Sequence, residues 1–145
     1  MQRSLFAMLS LIFIAAMGSA RADTLESELQ FVKLTETVMA KVAQGNIEGA
    51  LKEIKPYVVI PEAEFDALVA QTKAQRGLAG TRFGKPVGWE CLQHRKAGLS
   101  VAKVTCYEKT ELHALPWLFY FYKSPRGWVL NSFAWNDNLP LLFAP

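Results

Sequence analysis

The chain has 145 residues, 51% of them hydrophobic, with sixteen Lys+Arg against thirteen Asp+Glu and a formal net charge of +3. That is one domain's worth of sequence with enough apolar residues for a genuine core. Setting aside Arg3 and Arg21, which fall in the leader described next, leaves fourteen cations against thirteen anions. A basic nucleic-acid-binding surface therefore has no support in the composition.

Met1–Ala22 reads as a secretory signal: Arg3 is a short basic start, Leu5–Met17 is almost unbrokenly apolar, and Ala20-Arg21-Ala22 offers small residues for cleavage. Cleavage after Ala22 is expected, with Ala20 as the second choice. The apolar run is too short to favour a spanning helix, an uncleaved anchor being the rival reading. No Cys follows the run, so lipid attachment is not expected. The mature chain, 23–145, is then a single periplasmic or secreted domain with no stable membrane insertion after cleavage.

Three helical segments follow. Thr24 is placed to cap a helix running to about Ala43, with Glu26 and Glu28 in its first turn, where negative charge suits the helix dipole. Leu25, Leu29, Val32, Met39 and Val42 recur at roughly helical spacing, and Phe31, Leu34 and Val38 widen the stripe. Gln44-Gly45 ends it. Asn46 caps a shorter helix that buries Ile47, Ala50, Leu51 and Ile54 and stops before Pro56. Pro61 suits the first turn of a third helix. Phe65, Leu68, Val69 and Thr72 form its buried side, and Gly77 is its expected end. Glu62, Glu64 and Asp66 read as ordinary first-turn acids. Leu78–Gly88, with three glycines and a proline, reads as the linker from helices to sheet.

Beyond it the period changes from helical to two. Trp89–Lys96 and Leu99–Lys109 form a hairpin around Ala97-Gly98, and Ser124-Pro125-Arg126-Gly127 turns a second, aromatic hairpin. Eight of the seventeen aromatic residues lie between Trp117 and Trp135. Four strands with short connections make an antiparallel meander. Helices first and strands afterwards define an α+β domain: three N-terminal helices packed on a curved four-stranded sheet. Asp137 is placed to cap a last turn through Leu139–Phe143, a tail apolar enough to dock on the domain or on a partner.

If the first hairpin turns at Ala97–Ser100, Lys96 faces Val101 and Cys91 faces Cys106. Opposed Cβ atoms about 4.5–5.5 Å apart need little adjustment to form a disulfide. The rival is a pair of reduced, buried thiols. In the aromatic hairpin, Trp117, Phe119 and Phe121 share one face, and Leu118, Tyr120 and Tyr122 the other. Trp128 and Leu130 are out of phase with Phe133 and Trp135, so a β-bulge near Asn131-Ser132 would restore one face and bend the strand.

The pattern Trp117-x-Phe119-x-Phe121-Tyr122 followed by Gly127-Trp128-x-Leu130-x-x-Phe133-x-Trp135, behind three helices, resembles the nuclear transport factor 2-like superfamily. It is most similar to small secreted bacterial members without an assigned function. Asn46-Ile47-Glu48-Gly49-Ala50 resembles their turn into the second helix. The resemblance implies a cystatin-like cone of helices on a curved sheet, often with a pocket between them and often dimeric. The family includes isomerases, dehydratases and non-catalytic binding modules, so fold does not settle function.

Chemistry narrows little further. Cys91, His94, Cys106 and His113 fail as a metal site because Cys91 and His94, three apart on a strand, point to opposite faces. Asn136-Asp137-Asn138 lacks calcium-loop spacing. Neither a nucleophile elbow nor a phosphate loop is present, and no cofactor is implied. An acid–base enzyme would need a pocket carboxylate, for which Glu90, Glu108 and Asp137 are candidates, with Tyr107, Tyr120 and Tyr122 as donors. The favoured expectation is a non-catalytic module. It would bind a small apolar ligand or a protein partner over Trp117, Phe119, Phe121, Phe133 and Trp135, with a homodimer through the sheet face as one form of partner. A small isomerase- or dehydratase-type enzyme is the alternative.

Overall fold

In a computed structural model, residues 21–144 are described. The expected leader lies outside them, apart from Arg21 and Ala22. Helix α1 spans Glu28–Ala43 and is capped by the Ser27 side chain, not by Thr24. The start moves because Leu25 is occupied elsewhere. It exchanges two backbone hydrogen bonds of 2.8 Å with Trp128, which keeps the chain extended up to the cap. Helix α2 spans Ile47–Ile54, with the Asn46 side chain accepting from the Gly49 N–H at 2.9 Å as its cap. A 3-10 turn over Lys55–Tyr57 follows, with Pro56 inside it.

Helix α3 corrects the sequence reading. It spans Glu62–Phe83, so Leu78–Phe83 is helix and only the residues beyond Gly84 connect to the sheet. Gly77 and Gly80 cost helix propensity without breaking the hydrogen-bond ladder. The extra turns are held at their end, where Phe83 stacks on His113 at 4.4 Å and its carbonyl accepts from the Leu112 N–H. Gly84, at φ +85°, makes the stop.

The sheet is antiparallel. Strands β1 (Pro86–Cys91) and β2 (Arg95–Ala97) lie along one edge of β3 (Val101–Thr110), which pairs with β4 (Ala114–Ser124) and then β5 (Gly127–Trp135). The first expected strand is thus two strands, interrupted at Leu92–His94. The interruption also corrects the register. Ala97, not Lys96, faces Val101, yet Cys91 faces Cys106 as expected, because the irregular stretch absorbs one residue. A disulfide joins the two cysteines.

Between β4 and β5, Phe121 faces Leu130 while Tyr120 faces Ser132, leaving Asn131 as the extra residue of a bulge. Trp128, Leu130, Phe133 and Trp135 therefore fall on the same side as Trp117, Phe119 and Phe121. That side meets the helices. Phe31 of α1 stacks on Phe121 at 4.6 Å and meets Trp128 edge-on at 5.1 Å.

The other side of the sheet is divided. The tail forms a 3-10 turn over Leu139–Leu142 that lies against β4, and Leu141 and Leu142 shelter Thr105. Tyr120 is half-buried, and Tyr122 is exposed. The outer edge of β5 is partly covered by Leu25 and by Val58, whose neighbour Val59 donates to Leu130 at 3.3 Å. Among the described residues, no helix is long and apolar enough to cross a membrane.

Candidate functional site

The five aromatic residues singled out by sequence do not share one environment. Trp117, Phe119 and Phe121 are the filled interior, at most 1% exposed. Phe133 packs near Phe65 of α3, and Trp135 stacks on Trp117 at 6.0 Å while remaining partly open. Open space lies instead along α3. A groove of about 500 Å³ runs between α3 and the first turn of α2, walled by Asn46, Ile47, Lys73, Arg76, Gly77 and Gly80 and reaching Leu115. A second groove, of about 340 Å³, lies on the other flank of α3, with Ala79, Phe83, Trp135 and Asp137 around the same Leu115.

Beside this shared floor α3 is tied to the sheet by a polar pin as well as by Phe65 and Phe83. Glu108, in phase with Val104 and Cys106, points toward the helices and is fully buried. Both of its oxygens accept from the Arg76 guanidinium, which also lies 5.3 Å over the Trp135 ring. Burial pushes the Glu108 carboxyl above its ordinary range, against the hydrogen bonds and charge of Arg76, which pull it down. The Trp117 indole sits close enough to favour the charged form slightly, yet its N–H makes no full hydrogen bond, and neither does Arg76 Nε.

The other candidate carboxylates face water. Glu90 accepts from Tyr107 and, at 2.9 Å, from Lys109, and these hold its carboxyl below the usual range. Asp137 is exposed; its side chain accepts from Arg82 at 3.3 Å, and its carbonyl lies 2.9 Å from His113 Nε2. Of the three, only Glu108 is enclosed, and it lines neither groove. His94 pairs with Glu28 at 3.0 Å, away from both grooves and far from any cluster with His113. Tyr120 and Tyr122 border a patch on the outer side with Val101.

Arg76 was not singled out by sequence, although a signal was there. It stands four residues after Thr72 and seven before Phe83, in step with the stripe that α3 lays on the sheet. Glu108 was legible by parity, two positions beyond Cys106 on a strand. The chain matches no protein-family model, and comparison with curated proteins and with solved structures gives no match.

Proposed function

We propose that this is a secreted, non-catalytic binding module whose ligand lies over Leu115 in the groove between α3 and α2, rather than among the aromatic residues of the interior. The supporting observation is the contrast between a filled interior and the open flanks of α3, where the larger of the two grooves meets small residues. A Cβ added at Gly77 or Gly80 would meet nothing within 4 Å. A mostly apolar floor with a few polar groups at the rim is the usual composition of a small-molecule site. The disulfide agrees with an oxidising compartment, periplasmic or extracellular, and the nuclear transport factor 2-like resemblance belongs to the same reading.

An isomerase or dehydratase would need a carboxylate that reaches its substrate. Asp137 borders the second groove but is exposed and accepts from Arg82. Glu108 has both oxygens engaged by Arg76 and is sealed from either groove, which favours a positioning role over a chemical one. The binding reading is tested by titrating the mature chain with N-phenylnaphthylamine, a neutral apolar fluorophore. Gly80→Phe, whose Cβ would meet open space at the groove wall, should weaken binding about tenfold, while Tyr122→Ser on the outer side leaves it unchanged. Undiminished binding by the Gly80→Phe variant would exclude the groove.

A further inference from the structure

The end of the sheet opposite the grooves carries a second surface with its own chemistry. The β2–β3 and β4–β5 turns meet there, since Val101 faces Tyr122 and the Lys123 N–H donates to the Ser100 carbonyl at 2.8 Å. Three apolar or aromatic side chains are bare at this end: Leu99 is 83% exposed, Val101 41% and Tyr122 46%. Arg95 and Lys103 face each other across β2 and β3 on the same side as Val101 and Tyr122. Arg126 stands at the rim, and Lys123, on the helix-facing side of β4, lies 6.0 Å over the Trp128 ring.

No acid pairs with these cations among the described residues, although Glu26 stands beside the β4–β5 turn, next to the Leu25 that bridges to Trp128. From Cys91 to Tyr107, and again from Leu112 to Asn136, the chain contains no Asp or Glu. Glu28, from the helix packed behind, is already held by Lys96 at 2.6 Å and by His94. Among the described residues, Arg95, Lys103, Lys123 and Arg126 make no ion pair. At the other end of the same side the charges are matched, Glu90 being held between Tyr107 and Lys109.

We propose that this end of the domain docks on the surface of an anionic lipid bilayer, independently of the α3 grooves. Unpaired cations around bare apolar and tyrosine side chains combine the two contributions a peripheral surface needs: attraction to anionic headgroups and shallow burial of apolar area. Tyrosine favours that headgroup level, where its ring and hydroxyl meet different surroundings. A second copy of the chain fits the patch poorly, because two-fold pairing would set Arg95 and Lys103 near their own copies.

The test is co-sedimentation of the mature chain with phosphatidylcholine vesicles, with and without about a third phosphatidylglycerol, at low and high salt. The expected result is binding only to the anionic vesicles, lost at high salt. At about fivefold per charge, R95Q/K103Q should reduce partitioning about 25-fold, and V101S/Y122S should reduce it without altering salt sensitivity. Gly80→Phe should bind the vesicles like the parent. Should R95Q/K103Q fail to fold by near-ultraviolet circular dichroism, K123Q/R126Q, at the end of β4 and in the turn beyond it, carries the same expectation. Equal sedimentation with both vesicles, retention on soluble heparin without vesicle binding, or a dimer that buries Tyr122 would each overturn the proposal.

Discussion

Helices α1 and α3 solve the same problem in opposite ways. The shorter, α1, buries Phe31, Leu34, Thr35, Val38, Met39 and Val42. The longer, α3, buries only Phe65 and Thr72 and relies on the Arg76–Glu108 pair. An apolar stripe gains from every ångström of contact, whereas a buried ion pair must first offset the desolvation of two charges. Length is therefore no guide to attachment. The helix that borders open space is the one fastened by few groups, and local opening should begin there.

The sharpest way to break the contrast is from the α1 side. Phe31→Ala should lower unfolding free energy by about 4 kcal/mol, because it removes a fully buried ring wedged against Phe121 and Trp128; a urea melt measures it. Glu108→Gln should cost less, about 2 kcal/mol, since a freed α3 lets Arg76 reach water. Its signature is regional, with amide exchange accelerating in α3 and little changed in α1. The double variant R76M/E108L should recover most of that stability, as apolar replacements of buried pairs often do. An unchanged α3 exchange rate in Glu108→Gln would refute the pin. Smaller still, Gly77→Ala should add about 0.5–1 kcal/mol through helix propensity alone, read as a modest rise in the thermal midpoint.

Acidity separates the two helices without any change in sequence. Glu28, at the start of α1, is held below the ordinary 4.5 by its hydrogen bonds to Lys96 and His94. Its contribution is fully present above that value and is lost as pH falls through its folded pKa. Glu108 has the opposite sign: the folded state binds its proton more tightly, so stability declines as pH rises from 4.5 through the folded pKa and is level beyond. Urea midpoints taken across the acid range should lose their low-pH fall in Glu28→Gln and their higher-pH decline in Glu108→Gln.

Most of the fold was legible because its signals are local. The Asn46 cap and the phase change at Asn131 each follow from spacing within a few residues, whereas Cys91 faces Cys106 because the break at Leu92–His94 offsets a one-residue shift in the hairpin register. What escaped depended on distant partners. Thr24 lost its cap role to a pairing between Leu25 and Trp128, and the end of α3 was set by contacts of Phe83 with the β3–β4 turn. The grooves escaped for the same reason. They are spaces left by a helix with little apolar character of its own, and no periodicity marks a space.

The pairing of Leu25 with Trp128 bears on the order of events in folding. It joins residues near opposite ends of the described residues, so its loop-closure cost is met only after the intervening helices and strands have come together. A chain emerging from its N-terminus can form α1 and α2 early, but it cannot seal that first segment until the last hairpin exists. Until then the edge of β5 and the underside of α1 await the same residues, and completion of the sheet and burial of the N-terminal segment become one late step.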